Sequence, residues 1–260
     1  MPRLGQILLS FTEKLPQSVR SRIYDYCKKY TDYRDGINNE DIVTNGELEV
    51  IRKFIPSCKI IFDVGAHVGD WTRLVLNHNP KAEIHCFEPS AFTFKKLSSQ
   101  NFPSRVICNS FGLSSHIGEA KLQVFVEGDG MNSLYRREGL QDRGISVQEK
   151  QETISLQTLD EYCQKKKIQS IDFLKIDVEG HELKVLRGSE KMLREKRIGI
   201  IQFEYGGCNI DARVLLKDLF DIFNGLPYRF YKIHPKGPQR VAGYSQQFEN
   251  FQYSNWLAIH

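Results

Sequence analysis

The segment FLKIDVEGHE (173–182) sets carboxylates and an imidazole close together, directly after an apolar run. Asp177 ends the run, Glu179 and His181 follow at alternate positions, and Glu182 opens what reads as a helix. A second apolar run, IIQFEY (200–205), carries Glu204 near its end. In an open α/β sheet the working crevice lies outside the carboxyl ends of the strands. On that geometry Asp177, Glu179, His181 and Glu204 share one crevice. The chemistry such a set offers is proton removal from a hydroxyl, because imidazole titrates near neutrality and a positioned carboxylate can serve as general base. A variant places a divalent metal, Mg or Mn, on Asp177 and Glu204: carboxylate oxygens suit those ions, and a bound cation lowers the pKa of a coordinated hydroxyl. No third ligand is visible. The plainer readings are that Glu179 and Glu182 favour a helix N-terminus and that His181 is a surface residue on the first helical turn.

A different chemistry is written in FDVGAHVGD (62–70). A strand-like run ends in a turn of Gly65, Ala66, His67, Val68, Gly69 and Asp70. A dinucleotide fingerprint needs glycine where His67 stands, so that pyrophosphate can approach the backbone. Asp70 near a helix start competes with an anion for the dipole, and the G-K-[ST] ending of a phosphate loop is missing. The turn therefore suits a nucleoside without a phosphate. Asp63 would offer a carboxylate to a cationic ligand, and Gly65 would allow close backbone approach. Gly69 would allow tight helix packing, and His67 reads as a residue leading into the helix. Glu88, in CFEP (86–89) with Pro89, is placed to accept two ribose hydroxyls. That placement also fits NAD. Asn109 and Phe111 end a third run, placed for an adenine amine and an adenine face, although a buried strand aromatic is usually core. The D-x-G-x-x-x-G spacing resembles the first motif of class I methyltransferases, which bind S-adenosylmethionine.

The elements that must position these residues alternate. KIIFDVG (59–65), AEIHCFEP (82–89), RVICNSFGL (105–113), IDFLKIDVEG (171–180) and IGIIQFEY (198–205) read as strands. Helical stretches follow at 70–79, 91–101, 182–195 and 211–224, which argues for crossover units and a parallel sheet. The rhythm breaks at 119–157, read as an inserted hairpin and loop whose Ser133, Tyr135, Arg136 and Arg137 would cover an acceptor or simply be solvated. Two late strands, YRFYKIH (228–234) and SNWLAIH (254–260), have no helix between them and would pair as a hairpin. The loop at 235–253 between them reads as a lid or a solvated loop. Residues 1–45 read as one or two helices and a polar linker, TDYRDGINNED (31–41), and NGELEVI (45–51) as the start of another helix, where Glu47 would favour the N-terminus.

The chain has 260 residues with 40% hydrophobic and 26% charged residues, enough for one large domain. The net charge of +4 gives no warrant for nucleic-acid binding. None of the six cysteines forms a C-x-x-C pair, which disfavours zinc, and free thiols suit a reducing, cytoplasmic compartment. No run reaches the length of a transmembrane helix. The opening apolar patch is too short for a signal peptide and reads as an amphipathic helix.

FDVGAHVGDW, CFEPS, LKIDVEGHELKVLRG and IIQFEY, in this order and spacing, resemble the FkbM family of S-adenosylmethionine-dependent methyltransferases, and NGELEVI and NWLAIH are similar to it as well. The resemblance covers roughly residues 43–260 and leaves 1–42 as a small N-terminal helical extension. It implies a Rossmann-like class I fold: a seven-stranded, mostly parallel sheet with the last strand antiparallel and helices on both faces. It also implies O-methylation of a hydroxyl on a sugar, glycan or secondary metabolite, and it places Glu47 beside the cofactor. The competing readings are an NAD-dependent oxidoreductase, opposed by His67 and Asp70, and a catalytically idle cofactor-binding module, opposed by the carboxylates at the strand ends. Oligomeric state and acceptor identity are not legible.

Overall fold

A computed structural model describes residues 2–125, 132–137 and 150–260. Its main sheet takes strands β1 (Ile60–Val64), β2 (Glu83–Phe87), β3 (Val106–Asn109), β7 (Ile171–Ile176), β8 (Ile198–Tyr205), β9 (Arg229–His234), β10 (Gly237–Val241) and β11 (Ser254–Ile259). They lie in the order β10-β9-β11-β8-β7-β1-β2-β3. β3, β2, β1, β7 and β8 are parallel neighbours, and β11 runs antiparallel to both β8 and β9. The sheet has eight strands where seven were expected. The extra one, β10, comes from the 235–253 segment read as a lid or loop: it pairs antiparallel along β9 and finishes that edge.

Apolar residues of the central strands alternate between two buried layers, as a sheet covered on both faces requires. Phe62, Val64, Leu174 and Ile176 enter one layer, while Ile61, Phe173 and Leu257 enter the other. The second layer is closed by α3 (Glu47–Phe54), α4 (Asp70–His78) and α5 (Ala91–Ser98), through Val50, Ile51, Trp71, Val75 and Leu97. The first is closed by α6 (Leu159–Lys166), α7 (Glu182–Arg187), α8 (Glu190–Arg194) and α10 (Leu216–Asp221). The helix expected over 182–195 is split at Gly188, where a Cβ would stand 2.0 Å from the Ser114 carbonyl oxygen. The stretch at 211–224 is likewise divided between α9 (Cys208–Ala212) and α10.

The break at 119–157 is a second, three-stranded sheet: β4 (Gly112–Leu113), β6 (Lys150–Gln157) and β5 (Gly118–Val124), in the order β4-β6-β5. The third run read as one strand over 105–113 is thus shared between two sheets. The parts of the insertion at 126–131 and 138–149 lie outside the described residues. At the N-terminus α1 (Pro2–Glu13) and α2 (Gln17–Asp35) precede the sheet. α2 absorbs the first half of the expected linker because its last turn docks on the end of β9, where His234 Nδ1 lies 3.2 Å from the Arg34 carbonyl. Among the described residues no helix is long and apolar enough to cross a membrane.

Candidate active site

The turn after β1 is held against its neighbours by the backbone. The Gly65 and Ala66 N–H groups both donate to the Phe87 carbonyl, at 3.0 Å each. Gly65 has φ +83°, and a Cβ there would stand 1.8 Å from the Asp177 carbonyl oxygen. Only glycine lets this turn pack on the chain that carries Asp177. Gly69, at φ +89°, caps α4, and a Cβ there would press on the Phe102 ring at 2.8 Å. His67 lies before the helix rather than in it, in the left-handed region at φ +49°. Its N–H donates to Glu88 Oε2 at 3.1 Å, while Ser90 N–H donates to Glu88 Oε1 at 3.0 Å. Burial pushes the Glu88 carboxyl up to about 7 against these two donors.

A cleft of about 660 Å³ opens at this end of the sheet. Gly65, His67, Glu88 and Pro89 line one part of it, Asp177, Glu179 and His181 another. The small sheet supplies an apolar wall through Leu122, Ile154 and Leu156. An apolar wall beside a few fixed polar groups is the usual form of a small-molecule site.

Other expected cofactor residues stand behind the cleft, not on it. Asp63 is fully buried and accepts from Thr72 Oγ1 at 2.7 Å. Asp63 shares the face of β1 that carries Ile61, so its side chain enters the second core layer. Asn109 spends its amide on the Cys86 and Ile107 carbonyls, at 3.0 and 3.2 Å, and Phe111 packs edge-on against Phe87. Ala66 is buried, and Asp70 is exposed in an ion pair with Arg73 at 2.7 Å. Glu47 opens α3 but is buried, bonded to Asn45 at 2.8 Å, Gln202 at 2.6 Å and Asn255 at 3.2 Å.

One residue without an assigned role in the sequence connects these groups. Lys175 is buried on β7, paired across the sheet with Asp63 on one side and Gln202 on the other. Its Nζ donates to Asp177 Oδ2 at 2.8 Å. Burial disfavours the ammonium, yet Asp177, Asp63 and Glu47 hold its pKa above the usual value. Burial likewise opposes the Asp177 charge, but Lys175 keeps that carboxyl below its usual range. A lysine inside an apolar strand is itself a signal, since buried lysines are paired.

Among the described residues Glu204 has no such cation. Burial raises its pKa well above the usual carboxylate value, helped by the charges of Asp177 and Glu179 and by a hydrogen bond shared with Asp177. Glu179 sits at φ +55° and pairs with Arg137, while its carbonyl accepts from Ser133 Oγ at 2.7 Å. Burial pushes the Glu179 carboxyl up to about 7, with Arg137 opposing. His181 is not a surface residue. Ser114 Oγ and Tyr135 OH lie 2.9 and 3.0 Å from its two ring nitrogens, and burial lowers its pKa to about 4. It is therefore a neutral, doubly tethered ring. Ser133, Tyr135 and Arg137 of the insertion all dock on the 179–181 turn.

The metal candidates Asp177 and Glu204 are neighbours, with Asp177 already paired with Lys175. Glu179, Glu204 and Cys208 place ligand atoms within 4.8 Å of one another. Glu179 is paired with Arg137, Asp177 with Lys175, and burial keeps the Cys208 thiol protonated. Hard cations such as Mg or Mn prefer oxygen donors, so this set does not fit them.

The sheet order defines a Rossmann-like α/β protein with a cleft beside Gly65 and Glu88 at its switch point. The methyltransferase FkbM domain matches residues 63–230, and the chain belongs to that family. It is a methyltransferase whose cofactor is S-adenosylmethionine. The dinucleotide reading falls with that assignment. Similar proteins include the hexuronic acid methyltransferase AglP of Haloferax volcanii, 27% identical over 179 residues, or 66% of this chain and 69% of the relative. The 2-O-methyltransferase NoeI of Sinorhizobium fredii is 23% identical over 205 residues, or 75% and 83% of the two chains. Among solved structures, a methyltransferase FkbM from Methylobacillus flagellatus aligns with a TM-score of 0.48 at 18% identity, over 78% of this chain and 44% of that one.

Proposed function

We propose that the enzyme O-methylates a hydroxyl of a sugar or glycan, with the Asp177–Glu204 carboxyl pair taking up the hydroxyl proton. Residues 43–260 would form the methyltransferase domain and 1–42 an extension of it. The observation that carries this reading is the pair itself: Asp177 on the cleft, its pKa lowered by Lys175, beside buried Glu204, whose pKa burial raises. The two titrate as a unit. Positive charge in the cleft favours ionisation of Glu204, so the pair becomes a base when the cationic donor is bound. S-adenosylmethionine supplies a methyl group already activated by its sulfonium. The protein's part is to hold the acceptor oxygen about 3–3.5 Å from that carbon and to receive the proton. Glu88 would hold the ribose and the Gly65 turn the methionine portion. His181, neutral and tethered, would shape the wall. The names of AglP and NoeI, a hexuronic acid methyltransferase and a 2-O-methyltransferase, support a sugar hydroxyl as acceptor.

The test is labelled-methyl transfer over a panel of glycans and small hydroxylated metabolites. Transfer to a sugar oxygen, lost in Asp177→Asn, is expected. Transfer only to nitrogen or carbon acceptors would sink the reading.

A further inference from the structure

A second cavity, of about 640 Å³, lies between the end of α2, the 36–45 connection and the start of β11. The amides of Asn38, Asn39, Asn45 and Asn255 and the phenols of Tyr33 and Tyr253 line it. Its charged side chains are Lys29 and Asp32, and Asp32 is already paired with Lys28 at 2.6 Å.

The inner wall is made of the active site's own supports. Asn45 and Asn255 donate to Glu47 Oε1 at 2.8 and 3.2 Å, and Asn255 also donates to the Tyr253 hydroxyl at 3.0 Å. Across the sheet Asn255 stands directly opposite Glu204, and side chains of such partners share one face about 5 Å apart. The Tyr253 phenol is buried in the fields of Glu204, Glu47 and Asp177, which raise its pKa further. Asn255 and Tyr253 thus form the cavity wall nearest the carboxyl pair.

Amides and phenols present donors and acceptors together without net charge. They match a ring bearing several hydroxyls, with the tyrosine faces available to its C–H surface. We propose that this cavity is the acceptor subsite and takes an uncharged sugar ring, one hydroxyl of which passes Tyr253 to reach Asp177 and Glu204. This rests on the sugar O-methylation reading above. It makes the end of α2 part of the acceptor site.

Two variants test it without touching the donor cleft. Asn38→Gly removes an amide at φ +56°, a conformation glycine accepts, and Tyr33→Ala removes an exposed ring. Each should raise KM for a neutral glycoside acceptor about tenfold while kcat changes less than about threefold, the pattern of lost uniform binding. Affinity for S-adenosylhomocysteine, measured by calorimetry, should stay at the wild-type value. Glycoside turnover with KM unchanged in both variants would overturn the subsite and leave the function standing. A preference for uronates that Lys29→Ala abolishes would overturn the uncharged ring. A wild-type enzyme that binds S-adenosylhomocysteine yet methylates no glycoside would defeat the function and the subsite together.

Discussion

Lys175 Nζ lies 2.8 Å from Asp177 Oδ2, a pair made between neighbours on one face of β7 and the residue just past its end. The same ammonium balances Asp63 and Glu47, whose carboxyls burial otherwise pushes above their usual range. Lys175→Met would leave three carboxylates around an apolar side chain. Removing one partner of a buried pair costs about 3–5 kcal/mol, and a loss of that order is expected in denaturant melts. The deficit should grow with pH. Carboxyls whose folded pKa is raised give stability that is complete below their unfolded pKa and lost as pH rises through the folded one, and removing the cation raises the folded values further. A deficit equal at pH 5 and pH 8 would reduce Lys175 to a packing residue.

The carboxyl pair predicts a separation of binding from chemistry. Asp177→Asn and Glu204→Gln keep shape and remove the ability to take a proton. Each should lower kcat by about 10²-fold or more, within the range for general-base catalysis. Binding of S-adenosylhomocysteine should weaken far less. In the wild type kcat/KM should rise with pH along a single acid limb, which Glu204→Gln should abolish. An intact limb in that variant would move the base elsewhere, to Glu179 first.

The ribose role proposed for Glu88 predicts an effect on cofactor affinity alone. Its oxygens each receive one backbone N–H, from His67 and Ser90, and keep a lone pair toward the cleft. Hydrogen bonds to charged groups contribute about 1.5–3 kcal/mol each, so Glu88→Ala should weaken S-adenosylhomocysteine binding at least tenfold. Calorimetry at pH 8 and pH 6 adds a second check. Burial sets this carboxyl near 7, so wild-type affinity should fall as pH drops through that value and the variant's should not. An affinity independent of both changes would remove Glu88 from the ribose.

What could be read from the chain beforehand was what lies along one strand and its following turn. Gly65, Glu88 and Asp177 are visible because strand ends and turn glycines leave local signals. Asp63 shows where that logic stops: it precedes the last residue of β1, and the alternation of β1 turns it into the core beside Ile61 rather than into the cleft. Lys175 passed without a role, since its partners come from β1, α3 and the end of its own strand. Tyr253 carries no local signal, and Asn255 stands in the NWLAIH segment without a readable role. They meet Glu47 and Glu204 only because β11 inserts antiparallel between β8 and β9. Edge strand β10 escaped because a short, Pro- and Gly-containing segment reads as loop until a neighbour's free edge pairs with it.

The turn that aims Asp177 and Glu179 has its own titration. Glu182 is fully buried, and its Oε1 accepts the Val178 and Gly180 N–H groups at 3.1 and 3.2 Å, while Oε2 finds no partner among the described residues. Burial pushes this carboxyl up to about 7 from an ordinary 4.5, against the backbone donors. With the folded pKa raised, the protonated form is favoured by folding: its contribution is complete below about 4.5 and is lost as pH climbs through about 7. Glu182→Gln keeps the acceptor for both N–H groups and cannot ionise. Thermal melts between pH 5 and pH 8 should therefore show the wild type losing stability as pH rises, with the variant losing less. The variant should be at least as stable as the wild type at pH 8, and its kcat/KM should keep its acid limb, because Glu182 holds the turn without touching the acceptor. A steeper pH dependence in the variant would mean that the ionised carboxylate, not the acid, holds the 178–180 turn.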